Sequence, residues 1–313
     1  MGIAYYLKND RKAAAFFYGE TAVDLEEAAA SAGIPLELIQ PERLFSLEPE
    51  VEERLERLYL LCREEAPPGG RLAVPRLRLL PAVLSERNCL FYVGRNYKSV
   101  RADMNRATDK SVETLKLPAY FMKPPRAAAA SGDELIACHE DTEKLDYEGE
   151  IGVVIGKKGK DIPLSEAADY IYGFTAMNDV SARDAMKAYY QMYKGKSMDT
   201  FAPVGPCIAT KREIADPSRM RIETRVNGEL RQSGDTSELI FGFPALVSIL
   251  SRSMTLFPGD LISTGTPSGI GAAMVPPRFL QDGDVVEVRV EGVGLLRNRV
   301  RFYHRISSSA DAF

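Results

Sequence analysis

From residue 88 onward the chain is built of short runs rich in β-branched and aromatic residues, separated by glycines and prolines. They read "CLFYVG", "AYFMK", "EIGVVIG", "IYGFTAMNDV", "GPCIAT", "RIETRVNGE", "DLISTGTP" and "VVEVRVEGVG". Runs of this length bounded by turn residues are strands. Only "SEAADYI", "SARDAMKAYYQMY" and "FPALVSILSRSM" have the spacing of helices. No GxGxxG follows a strand and no repeat occurs, which argues against a doubly wound nucleotide-binding fold. The fold class expected is α+β and β-rich.

Residues 1–85 have a different texture. "IAYYL", "AAAFFYG" and "TAVDL" predict strands, "DLEEAAASAG" a helix ended by Gly33, and "EPEVEERLERLYLLCREEA" a longer amphipathic helix stopped by Pro67 and Pro68. The stretch "PPGGRLAVPRLRLLPAV" then reads as a linker and edge. The expectation is a small N-terminal α+β domain over 1–85 and a larger β-rich domain over 86–313.

Composition narrows the functional classes. With 313 residues, 45% of them apolar, the chain can bury a substantial core. Forty basic against 44 acidic residues give a net charge of −4, without a long run of either sign, so nucleic acid and membrane surfaces are not expected partners. Cys62, Cys89, Cys138 and Cys207 are scattered with no CxxC pair, and the N-terminus has no apolar signal segment, so a cytoplasmic location is expected. His139 and His304 are the only histidines. A metal site here must draw on carboxylates, which favours a hard ion such as Mg²⁺ or Mn²⁺ over zinc.

In "KLDYEGEIGVVIG" a period of two sets Asp146, Glu148 and Glu150 on one face of a strand, and Gly149 leaves room for something to approach closely. Paired carboxylates can share a proton, bind a cation or face water. "GFTAMNDVSARD" adds Asp179 after another apolar strand, where it could complete an oxygen-donor set or cap a helix beginning near Ser181. Lys196 in "GKSMDTF" and Lys123 in "FMKPP" are cations that could serve an anionic substrate or simply sit at the surface. Arg95 and Asn96 in "VGRNY", and Thr266 in "STGTPSGIG", follow apolar strands on loops that could share one mouth.

As a set, "YVGRNY", "FMKPP", "LDYEGEIGVVIGKKGKDI", "YIYGFTAMNDVSARD", "GKSMDTFAPVGP", "VNGE" and "STGTPSGIG" resemble the fumarylacetoacetate hydrolase family, over about residues 88–303. The resemblance implies a mixed β-sandwich roll, usually a homodimer, with a Mg²⁺ or Mn²⁺ site. It implies Glu148, Glu150 and Asp179 as metal ligands, Lys196 as a catalytic group beside the substrate, and Arg95 and Thr266 as contacts to its carboxylate or oxo oxygens, with Asn96 and Lys123 near the same pocket.

One departure bears on the reaction. Many hydrolytic members carry a histidine three residues after the GRNY tyrosine and an acidic residue three further on; here those places are Val100 and Asp103. Without that base, decarboxylation of an oxaloacetate-type 2-oxo acid through a metal-stabilised enolate is the first expectation, since it needs no activated water. Acylpyruvate-type hydrolysis or hydroxymuconate-type isomerisation, with Asp103 or His139 as a substitute base, is the alternative. A non-catalytic scaffold with a vestigial site is a third.

Overall fold

The computed structural model describes residues 1–35, 44–45, 47–65, 67, 70–83, 85–100 and 116–305. Three of the expected runs, Gly149–Ile155, Ile171–Asn178 and Ala202–Thr210, lie side by side at the centre of a large sheet, and every residue in them is buried. Strands covered on both faces read as near-continuous apolar runs rather than alternating ones. Ile151, Val153 and Ile155 pack into one core while Val154 packs into another.

The second sheet reads differently because it is covered on one side. It has the order Glu229–Asp235, Arg221–Val226, Val285–Val290, Gly294–Tyr303, Glu134–Cys138. Here burial alternates: Ile222, Thr224 and Val226 point inward, as do Val286, Val288 and Val290. Ile222, Val288, Val290 and Leu296 join Ile151, Val153 and Phe174 in one apolar cluster, so the main core lies between the sheets. This is the strand-rich α+β roll expected from the sequence.

The N-terminal strands Gly2–Lys8, Arg11–Tyr18 and Thr21–Asp24 form where expected. They do not close a sheet of their own. Gly2 and Ile3 pair with Ala209 and Ile208, which adds these strands to the large sheet across the expected boundary near residue 85. Helix Leu25–Ser31 is capped by Asp24, and helix Pro49–Glu64 buries Val51, Leu55, Leu58, Tyr59 and Cys62.

The helix expected over "SARDAMKAYYQMY" is instead two short ones, Arg183–Ala188 and Met192–Lys196. The chain reverses between them through Tyr190, at φ +58°. Gly195 permits the close return: a Cβ there would lie 2.6 Å from Met186 Cγ and 2.7 Å from Ala182 O. That packing delivers Lys196 to the carboxylates. The "SEAADYI" run forms only a 3₁₀ turn at Ala167–Tyr170. No helix among the described residues is long and apolar enough to cross a membrane.

Candidate metal centre

Strand pairing brings the carboxylates together. Gly149 stands opposite Asn178, so Glu148 and Asp179, each one residue beyond, meet where the ladder ends. The Asp179 N–H donates to Glu148 O at 2.8 Å, and the Glu148 N–H donates to Asn178 Oδ1 at 3.0 Å. One oxygen from each of Glu148, Glu150 and Asp179 lies within 4.8 Å of the others. Gly149 is squeezed from behind, as its sequence position suggested: a Cβ would fall 2.0 Å from Thr224 Oγ1 on the second sheet.

Three cations and a fourth carboxylate surround the trio. Lys196 Nζ donates to Glu148 Oε2 at 3.0 Å and also to Asp179 Oδ2. Lys123 Nζ is 2.5 Å from Asp179 Oδ1 and donates to Val180 O and Phe201 O. Arg183 Nη2 donates to Glu148 Oε1 at 2.6 Å. Asp146, fourth in charge, is not part of the trio: its oxygens accept from the N–H groups of Gly271 and Ala272 and from Arg183 Nε.

Four carboxylates against three cations leave one negative charge in excess in a largely buried cluster, and the groups are shifted accordingly. Burial pushes the Glu150 carboxyl well up, and the charges of Asp179 and Glu148 push it further. Burial would raise Glu148 too, but Arg183 and Lys196 outweigh it and hold that carboxyl low. Burial would lower the Lys196 ammonium, yet Asp179 and Glu148 raise it, so it stays charged. Lys123 is pulled down to about 8, chiefly by burial. A divalent cation beside the three carboxylates would reverse the excess to one positive charge, and these all-oxygen donors suit a hard ion. Glu150 is already oriented for this: Ser263 Oγ and the Gly265 N–H both donate to its Oε2, at 2.5 and 2.9 Å.

Glu148 and Glu150 of the trio line a cavity of about 330 Å³. Its lining combines Glu148, Glu150, Arg183, Lys196, Arg95 and Thr266 with the apolar side chains of Val100, Phe121, Met186, Met192 and Ile270. A larger cavity of about 600 Å³ lies against the N-terminal hairpin and includes Tyr18, Tyr59, Arg221 and Arg289, but none of the carboxylate trio.

Of the residues singled out in the sequence, Glu148, Glu150, Asp179 and Lys196 come together, and Arg95 and Thr266 line the cavity. Two expectations are corrected. Asn96 is buried with both Nδ2 hydrogens on Phe241 O and Thr264 O and its Oδ1 accepting from the Phe241 N–H, so it pins two loops rather than touching substrate. Lys123 lies behind Asp179, fully buried, and does not line the cavity. Asp103 falls outside the described residues. His139 stacks on Phe302 and His304, away from the carboxylates. Residues 89–301 match the family description "Fumarylacetoacetate (FAA) hydrolase C-terminal".

The chain belongs to the fumarylacetoacetate hydrolase family. Among its relatives, oxaloacetate tautomerase YisK of Bacillus subtilis is 43% identical over 208 residues, which cover 66% of this chain and 68% of that protein. The fumarylacetoacetate hydrolase structure from Exiguobacterium antarcticum is 32% identical, with a TM-score of 0.75 over 97% of this chain and 100% of that one. A 5-carboxymethyl-2-hydroxymuconate delta-isomerase from Mycobacterium smegmatis is 29% identical, with a TM-score of 0.72 and the same coverage. The fold is thus that of a family of hydrolases and isomerases with an oxaloacetate-processing relative.

Within this family site, sequence reasoning missed three side chains. Arg183 sits inside the quoted "NDVSARD" block, four residues after Asp179, and only the backbone reversal shows that it returns to Glu148. Gln232 comes from the second sheet, where nothing marks it. Met186, inside the "SARDAMKAYYQMY" run, was not singled out in the sequence and lines the cavity.

Proposed function

We propose that this enzyme catalyses keto–enol tautomerisation of an oxaloacetate-type 2-oxo dicarboxylic acid, with Mg²⁺ or Mn²⁺ held by Glu148, Glu150 and Asp179. The observation that carries this reading is Lys196 Nζ, which donates to Glu148 of the carboxylate trio and lines the same cavity, where no histidine stands among the described residues. The bound ion would act as a Lewis acid, serving as the electron sink for the enolate of a chelated 2-oxo acid. Every other part of the work falls to the chain's own residues.

Lys196 Nζ is the group that delivers a proton to carbon 3 and is recharged by the proton that leaves the carbon-2 hydroxyl of the enol, so the ammonium is restored at each turnover and the reverse direction retraces both transfers. Arg95, exposed at the cavity mouth, is placed to pair with the distal carboxylate. Val100, Phe121, Met186, Met192 and Ile270 exclude water from the carbon being protonated. No histidine lines the cavity among the described residues, and the place of the family's water-activating histidine is taken by buried Val100. That disfavours hydrolysis. The similarity to an oxaloacetate tautomerase supports proton transfer rather than bond cleavage as the outcome.

Decarboxylation passes through the same enolate and is the second reading. One experiment separates them: Mn²⁺-loaded enzyme is mixed with enol-oxaloacetate while enol absorbance and pyruvate are followed together. Enol decay well ahead of pyruvate formation, lost in Lys196→Met, is the expected result. Pyruvate appearing as fast as enol disappears would replace tautomerisation by decarboxylation.

A further inference from the structure

Thr266 lines the cavity with a hydroxyl whose proton is already committed. Its Oγ1 lies 2.8 Å from Gly149 O and 2.7 Å from Gln232 Nε2. A carbonyl oxygen only accepts, so the hydroxyl proton goes to Gly149 O. An amide nitrogen only donates, so Gln232 occupies one of the two Oγ1 lone pairs.

The orientation of the Gln232 amide is itself fixed by backbone. Its Oε1 accepts from the Gly149 N–H at 2.9 Å, and its Nε2 also donates to Pro267 O at 2.9 Å. Turning the amide over would set donor against donor at Gly149 and acceptor against acceptor at Pro267. Both side chains are buried, so water does not relieve a mismatch. Gln232 thereby links the strand that carries Glu148 and Glu150 to the loop that carries Thr266.

We infer that Thr266 meets the substrate only as a hydrogen-bond acceptor, through its second lone pair, and that Gln232 is the positioning residue that enforces this. The sequence had suggested a contact to a carboxylate or oxo oxygen. Those groups are themselves acceptors and would face a lone pair. The group that fits is a hydroxyl: the enol form of a 2-oxo acid offers one at carbon 2 and the keto form does not. The inference rests on the reading of the cavity as a 2-oxo acid site, and it gives that site a means of favouring one tautomer.

The test uses two dianions that differ by a single hydroxyl, malonate and tartronate (hydroxymalonate), titrated calorimetrically into the Mg²⁺-loaded full chain. Their affinity ratio includes the hydroxyl's own attraction to Mg²⁺, so the quantity read is its change between variants. Thr266→Ser is expected to keep the wild-type ratio. Thr266→Val, of nearly equal shape, is expected to lower it by roughly tenfold, the worth of one buried neutral hydrogen bond, with malonate affinity nearly unchanged. Gln232→Leu frees the hydroxyl to rotate and is expected to lower the ratio several-fold; the two Thr266 variants decide the matter if that protein does not fold. An unchanged ratio in Thr266→Val, or a loss confined to malonate, would overturn the inference. Failure of the tautomerase reading shows separately, as an absence of enol turnover with the ratio response intact.

Discussion

Arg183 pairs with the buried Asp146: the guanidinium Nε donates to Asp146 Oδ2 at 2.9 Å while Nη2 reaches Glu148 at 2.6 Å. Asp146 is in turn held by the Gly271 and Ala272 N–H groups, so the loop after the Leu261–Ser263 strand fixes the carboxylate of Glu148 through two intermediates. Residues that orient a ligand without touching the ion typically change its affinity by about 10–100-fold. Asp146→Asn loses the charge that holds Arg183 and one of the two backbone contacts, because its NH2 cannot accept from an N–H group. It is expected to weaken Mn²⁺ binding by about that much, measured by titration. Wild-type affinity in this variant would show that Glu148 needs no such support.

Glu150 supplies the direct test of the ion itself. Anything that binds only the folded state raises its stability, by about 2.7 kcal/mol at a hundred times Kd. Mn²⁺ or Mg²⁺ should therefore raise the melting temperature of the wild type, EDTA should reverse the rise, and Glu150→Gln should show little of it. A shift of equal size in Glu150→Gln would place the ion elsewhere.

The carboxylate trio was legible because each member lies in a compact block next to an apolar strand; the period of two brought out Glu148 and Glu150 together with Asp146, and the family resemblance singled out Asp179 as their partner. Asn96 and Lys123 were misread for the opposite reason. A polar residue in a motif looks the same whether it points at a substrate or is satisfied by main chain, and the partners that decide the matter are distant in sequence: Phe241 and Thr264 for Asn96, Val180 and Phe201 for Lys123. The N-terminal strands were found individually. Their joining to the large sheet depends on the pairing of Ile3 with Ile208, which no local pattern encodes.

Gly149 between the two glutamates is set by packing rather than by backbone freedom, since a Cβ would lie 2.0 Å from Thr224 Oγ1 and 3.3 Å from Val288 Cγ1. Gly149→Ala is expected to cost on the order of 1–3 kcal/mol in chemical denaturation, the usual range for overpacking a tight core. Thr224→Ala removes the obstructing hydroxyl, whose oxygen has no hydrogen-bond partner among the described residues. The double variant should recover much of the loss, giving a clear coupling between the sites. Strict additivity would mean that Thr224 is not what excludes a side chain at 149.

Asp24 gives the fold a defined response to acid at a distance from the carboxylate trio. Its Oδ1 accepts from the Glu27 N–H at 2.8 Å, capping helix Leu25–Ser31, and its Oδ2 accepts from Lys8 Nζ at 2.8 Å and from the Tyr6 hydroxyl. Burial would raise this carboxyl, but the three donors outweigh it and hold it below its ordinary value of 3.8. A depressed value in the folded state means stabilisation that is complete above 3.8 and is lost as pH falls through the folded value. Asp24→Asn keeps an oxygen for the Glu27 N–H but turns an NH2 toward Lys8 and Tyr6, so it should be less stable than wild type at pH 7 by about 1.5–3 kcal/mol, the worth of a charged hydrogen bond. The gap should narrow as denaturation is repeated from pH 5 down toward pH 3, because the wild type loses what the variant already lacks. A gap that stays constant over that range would show that the Asp24 charge contributes nothing and that its hydrogen-bonding shape alone matters.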